Sequence, residues 1–479
     1  MSPDLASSDS ADAARAAKER GCACTTARAK LNATVLAESV CRKGLIRVAY
    51  RGRSLCRNWN LVYMTTLGFY HFWNRRGKPD RGGPRERGTI YSLVMRVLIF
   101  LVASFSWAAD SGQLARIAVR MKELVDQERI AGTVTLFQEK GELVHFEAVG
   151  WQDIENKKLM RKDSIFQVMS MTKPFTGTAI LMLAEEGRLS VSDPVEKHLP
   201  EFRGQMVKVD GVLKKPARAV TIHDLMTHTG GIHSAPPPGL GELYTKMDRT
   251  LADAVLVYSQ QPLDFEPGSR WSYSNAGIAT LGRIVEVVSG IAYERFLETR
   301  IFQRLGMRDS HFFLPEAKRE RLAIVYKKTA TGLERADGSI LGGLSAAARP
   351  KAIYPAPEFG LYSTAEDLAK FYQALLNGDR RILSKASIRL MSSRQSGELR
   401  VGQAPYTAFG LTWEVIDEDP RGQVSLLSKG TYGHGGAFST HGWVDPARKT
   451  IGVFLTQLVG APAEAKQAFM QMANSALLE

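Results

Sequence analysis

Apolar side chains recur at helical spacing over 113–128 (QLARIAVRMKELVDQE), where Leu114, Ile117, Met121, Leu124 and Val125 form one stripe. Two alternating segments follow, 132–138 (GTVTLFQ) and 143–149 (LVHFEAV), separated by a turn containing Gly141. They predict an antiparallel hairpin. The far end mirrors this, with strands at 441–445 and 450–457 around a 446–449 turn, then a helix over 462–478. Strands from the two ends therefore belong to one antiparallel sheet, with the terminal helices covering a face. Between them, about 174–395 reads as helices and loops, including a helix over 364–377. A helical insert carried on an α/β layer is the simplest architecture.

Composition changes this picture only at the N-terminus. Hydrophobic residues make up 44% and charged residues 23% of the 479, an ordinary globular balance that excludes a disordered chain. Of the net charge of +14, residues 1–94 supply most, with 17 Lys+Arg against 7 Asp+Glu. The rest holds 46 against 42, too even for a polycationic surface, so no nucleic-acid partner is expected. Cys22, Cys24, Cys41 and Cys56 also lie in that first segment, leaving the main domain without disulfides or cysteine-bound metal.

Residues 1–94 show no sustained period and read as a spurious or disordered extension. At Met95 begins a basic start at Arg96, an apolar run from Val97 to Phe105, and small residues Ser106 and Ala108. These are the three parts of a secretory signal peptide over 95–109, too short in its apolar run to span a membrane comfortably. A domain over 110–479, periplasmic or secreted and without a stable membrane anchor after cleavage, is the expectation.

Three short segments carry chemistry. The first is FQVMSMTKPFTGTAILMLAEEG, with Ser170 and Lys173 three residues apart ahead of a buried helix that Gly187 ends. On one helical turn their side chains share a face. A serine hydroxyl is a weak nucleophile without a base, and a lysine desolvated by an apolar helix can be that base. Pro174 fixes the pair to the helix start. A helix cap beside a surface lysine would explain these residues equally if they stood alone.

The second segment, FEPGSRWSYSNAGIATLGRIVE, places Tyr273 and Asn275 two apart on a loop before a helix from Ala276. A phenol suits proton transfer, and an amide suits holding a substrate carbonyl and the lysine. The third, GTYGHGGAFSTHGWVD, has His434 and Gly436 leading into a strand. Glycines there let a substrate backbone approach, and the Ala437 amide can join that of Ser170 as an oxyanion hole.

The order and spacing resemble the serine β-lactamase and penicillin-binding-protein superfamily, which carries S-x-x-K, then Tyr-x-Asn, then Lys/His-x-Gly. VTIHDLMTHTGGI (220–232), IFQRLGMRDSHF (301–312) and GLYSTAEDLAKFYQALLNG (360–378) resemble its class C β-lactamase-like branch, and the likeness spans roughly 112–478. The resemblance implies an α/β (α+β) sandwich, with a central antiparallel sheet flanked by helices and an all-helical region. It also implies roles: Ser170 acylates, Lys173 and Tyr273 share base and acid duties, and Asn275, His434, Gly436 and Ala437 bind substrate. No cofactor and no metal are implied.

His434 stands where class C β-lactamases usually have lysine. A histidine of ordinary pKa is mostly neutral at pH 7 and pairs poorly with a β-lactam carboxylate. The expectation is thus an exported serine hydrolase of small esters or amides, of esterase or D-amino-acid peptidase type. A β-lactamase or D,D-carboxypeptidase acting on peptidoglycan-like substrates is the alternative within the fold. A non-catalytic peptidoglycan-binding protein is the alternative outside enzymes. A zinc enzyme built on His223, His228 and His233 is disfavoured, since a five-residue step turns side chains off one helix face. His228 is expected to shape a loop beside the site.

Overall fold

The computed structural model describes residues 109–234, 243–336, 352–402, 406–418, 425–460 and 463–478. The extension expected at 1–94 and nearly all of the expected leader at 95–109 lie outside the described residues.

Helix α1, Ser111–Asp126, begins where the Asp110 carboxylate accepts the Gly112 and Gln113 amides at 2.8 and 3.2 Å. It buries the five residues of its apolar stripe. Strands β1 (Gly132–Glu139) and β2 (Glu142–Asp153) form the expected hairpin. Lys140 and Gly141 both take positive φ, 52° and 89°, matching the turn to the twist of the strands. A short β3, Lys158–Leu159, pairs with β2.

The C-terminal part supplies five more strands: β4 (Thr407–Phe409), β5 (Glu414–Ile416), β6 (Tyr432–Gly435), β7 (His441–Asp445) and β8 (Thr450–Leu455). The eight-stranded sheet runs β4-β5-β6-β7-β8-β1-β2-β3 and is antiparallel throughout. Val134 opposes Leu455 and Glu139 opposes Thr450, so the strands from the two ends of the domain meet at its centre. At three residues each, β4 and β5 are too short for a period to reveal them.

The C-terminal helix, Glu464–Ser475, packs with α1 on one face of the sheet. Its Phe469 meets Trp443 of β7 and Phe454 of β8, with ring centroids 5.6 and 6.1 Å away. The other face carries the larger core. That core takes in Lys173–Glu185 (α2), Ile222–Thr227 (α3) and Asn275–Ser289 (α4), while Ala365–Asn377 (α5) packs on β1, β7 and β8. Every residue of α2 from Lys173 to Leu183 is buried, as expected of a helix apolar on all sides. Phe175 stacks on Phe371 of α5 at 3.9 Å between centroids. Thr364 caps α5 and Ser274 caps α4, each accepting the amide of the third residue of its helix. Two small hairpins, Val207–Val209 with Val212–Lys214 and Tyr326–Thr329 with Gly332–Arg335, decorate the mainly helical middle.

Candidate active site

Ser170 sits in a single 3-10 turn, Met169–Thr172, and the α-helix opens at Lys173. The serine therefore stands just outside the helix rather than within its first turn. Pro174 follows at the second helical position, where its missing N–H costs no helical bond. Met169 pays for the tight turn with φ +53°, a left-handed conformation worth about 1–2 kcal/mol for a residue with a side chain. Neighbours hold it there. Thr172 Oγ1 donates to the Met169 carbonyl at 2.6 Å, and Thr440 Oγ1 donates to the Val168 carbonyl at 2.9 Å.

Lys173 is fully buried while Ser170 is half-buried, so the hydroxyl meets solvent and the amine does not. The Lys173 Nζ lies 3.0 Å from Ser170 Oγ and donates to the Glu358 carbonyl at 2.7 Å. Burial draws the lysine pKa from 10.5 down to about 7, against a weaker upward pull from the Glu358 carboxyl. A proton-free amine beside a serine hydroxyl is thereby accessible at neutral pH.

Tyr273 closes the other side. Its ring centroid lies 4.7 Å from Lys173 Nζ, and its hydroxyl interacts electrostatically with Ser170. Burial pushes the phenol well above its ordinary value, so it stays protonated. Asn275 opens α4, and its Oδ1 is buried without a hydrogen-bond partner. The sequence reading gave this amide the task of holding the lysine. The acceptors of the Lys173 amine in the structure are Ser170 Oγ and the Glu358 carbonyl.

His434 is a residue of β6 itself, not of a lead-in to it, and is buried at 2% exposure. Desolvation, then the nearby Lys173, bring its pKa down to about 3, so the imidazole is neutral. Its Nδ1 lies 2.7 Å from the Gly435 carbonyl, and its Nε2 has no partner. Gly436 has a packing reason: a Cβ there would stand 2.1 Å from Thr440 Oγ1 and 2.5 Å from the Val168 carbonyl. The glycine lets the segment leading to the Ser170 turn approach the end of β6. Ala437 follows, exposed, at the rim of the same junction.

His228 occupies the αL position that ends α3, with φ 60°. Its Nδ1 accepts the Ser274 amide at 3.2 Å, and its ring lies 4.5 Å from Tyr273. Phe409 of β4 and Trp271 stand against it at 4.9 and 6.1 Å, completing an aromatic wall. Burial first, then Lys173 and His434, keep His228 neutral as well. His223 lies in α3, and His233 pairs with Asp264 at 3.0 Å on the surface, so the three histidines diverge. Among the described residues no group of His, Cys, Asp and Glu is placed to hold a metal.

Sequence reasoning missed Glu358, Phe409 and Trp271. Trp271 lies within the tyrosine motif, and Glu358 two residues before GLYSTAEDLAKF, so proximity to motifs was the available signal. Phe409 had none, since only sheet pairing brings it near.

A half-exposed serine hydrogen-bonded to a wholly buried lysine that a tyrosine ring covers, on the turn just ahead of a helix and against an antiparallel sheet, defines a serine hydrolase. The chain belongs to the β-lactamase family: the family model described as Beta-lactamase matches residues 117–477. Esterase EstB of Burkholderia gladioli is 30% identical over 369 residues, covering 72% of this chain and 91% of that protein. A β-lactamase of Escherichia coli is 25% identical over 320 residues, covering 67% and 75%. The solved structure of EstCE1, described as a hydrolase with promiscuous acyltransferase activity, superposes with a TM-score of 0.66 at 26% identity, covering 77% of this chain and 99% of that one.

Proposed function

We propose that the protein hydrolyses small carboxylic esters through an acyl-enzyme on Ser170. The observation that carries this reading is the 3.0 Å contact between Ser170 Oγ and a lysine amine stripped of solvent. In this reading Ser170 Oγ attacks the ester carbonyl while its proton passes to Lys173, directly or through Tyr273. Because the Tyr273 phenol holds its proton firmly, it relays by giving one proton as it takes another. The Ser170 and Ala437 amides receive the developing oxyanion. The protonated pair then returns the proton to the departing alcohol, and water releases the acid by the reverse route.

Two observations favour an ester over a β-lactam. His434 is neutral and buried where a cation would be needed to meet a substrate carboxylate. EstB, an esterase, matches over most of its length. In this reading Asn275, whose Oδ1 has no hydrogen-bond partner within the protein, orients a polar group of the substrate.

The test compares the full chain with Ser170→Ala on p-nitrophenyl butyrate, nitrocefin and D-alanyl-p-nitroanilide. Butyrate turnover is expected to dominate and to fall at least about 10³-fold in the variant. Dominant nitrocefin or D-amide turnover would replace the esterase reading. Turnover of none, with no labelling of Ser170 by a fluorophosphonate, would leave a binding protein.

A further inference from the structure

Behind Lys173 lies a second ionisable side chain that the acyl-transfer scheme does not use. Glu358 is completely buried, and its backbone carbonyl is the second acceptor of the Lys173 amine at 2.7 Å. Its Oε1 accepts the Tyr354 hydroxyl at 2.8 Å, whereas Oε2 has no hydrogen-bond partner. Among the described residues no cation lies within ion-pair distance of it, so its charge is balanced only at longer range. A buried carboxyl kept half-satisfied is costly and contributes little to the fold.

The groups that face this carboxyl are one amine and phenols. Lys173 from α2, with Tyr244, Tyr258, Tyr273, Tyr293 and Tyr354 from surrounding segments, interact with it electrostatically. Burial holds all five phenols above their ordinary range. Around Lys173, the His228 and His434 imidazoles are held below theirs. Between about pH 5 and 9 the pair Lys173–Glu358 is then the coupled titrating unit of the site.

We infer that Glu358 is a positioning residue for the general base: its carbonyl fixes the Lys173 amine against Ser170, and its buried carboxyl sets how tightly that amine binds a proton. The inference rests on the acyl-enzyme reading. An ionised carboxyl strengthens Lys173 as a proton acceptor when Ser170 attacks, and a protonated one leaves it weaker. Burial raises the Glu358 pKa above the usual carboxylate range, so its ionisation falls in the same window as that of the lysine. No proton is created or lost in this device. The serine proton goes to Lys173 and returns to the leaving alcohol, while Glu358 alters only the energy of the intermediate cation.

The experiment measures kcat/KM for p-nitrophenyl butyrate from pH 5 to 9 in the full chain, Glu358→Gln and Glu358→Asp. Glutamine keeps the volume and the backbone carbonyl but removes the charge that raises the lysine pKa. The acid limb is expected to move to lower pH by about one unit, with reduced plateau activity. Aspartate keeps a carboxyl and is expected to hold the limb near that of the parent. Circular dichroism and the melting curve establish that each variant is folded, and Glu358→Asp alone decides if Glu358→Gln is not: a limb displaced acidward by about one unit overturns the proposal. An unmoved limb in folded Glu358→Gln overturns it too. If Ser170→Ala retained the parent's activity, the acyl-enzyme reading itself would fail, an outcome distinct from either limb result.

Discussion

Asp224 and Glu358 are both buried carboxyls on the helical side of the sheet, and the molecule treats them in opposite ways. Asp224, at 3% exposure, accepts both Arg218 guanidinium nitrogens at 2.5 and 2.9 Å. It also accepts the Thr221 amide and hydroxyl at 2.9 and 2.7 Å, completing a capping box for α3. Burial alone would raise its pKa, but Arg218 and Thr221 outweigh that and hold it below the carboxylate range. Glu358 faces phenols rather than a cation, Tyr354 on Oε1 and Tyr244 beside it, and has a raised pKa. A carboxyl that secures a loop is saturated with donors, whereas the one beside the proposed base is left short of them. Under-satisfaction keeps a group titratable near neutral pH, and titratability is of no use to a structural cap.

The contrast breaks most visibly at Lys173. Lys173→Met removes the base and should lower ester kcat/KM by about 10³–10⁴-fold while the fold is retained. The same change should stabilise the protein near pH 7.5 by on the order of 1–2 kcal/mol, read by chemical denaturation. The sign follows from the lowered pKa: the unfolded lysine keeps its proton to about pH 10, whereas the folded one loses it near 7. Folding in that window releases a proton, so the parent gains stability as pH rises toward 10, and the methionine variant lacks that slope.

Asp224→Asn tests the other side. It should cost on the order of 2–3 kcal/mol of stability, reduced from a fully buried ion pair because Arg218 is 45% exposed. Ester turnover of the folded fraction should be unchanged. Because its folded pKa is depressed, the stabilisation from Asp224 is present above the ordinary carboxylate range and fades as pH falls through the folded value. A stability loss that does not depend on pH would mean that the charge is not what Asp224 contributes. The smallest effect is expected at His434. With its imidazole neutral above about pH 3, His434→Gln should leave the midpoint of the acid limb in place. A displaced midpoint would assign that limb to histidine rather than to Lys173.

The elements with long, regular apolar periods were legible without coordinates. The α1 stripe, the β1–β2 hairpin, the closing strands and helix, and the pairing of the two ends in one sheet all follow from local periodicity and turn residues. So was the proximity of Ser170 and Lys173, because three residues along a helix start leave two side chains few ways to part. Three-residue strands such as β4 and β5 carry too little pattern, and they bring Phe409 to the site.

The sequence by itself thus determined which residues could act as nucleophile, base and proton relay, and that they share one sheet-and-helix scaffold. Only the tertiary structure decided which partners those residues keep. It gave the lysine the Glu358 carbonyl, 185 positions away, as an acceptor. It gave Gly436 to the Ser170 turn and stripped His434 of water and charge. The physical reason is range: periodicity and capping act over a few residues, whereas desolvation and hydrogen-bond satisfaction depend on whatever the whole chain packs around a group.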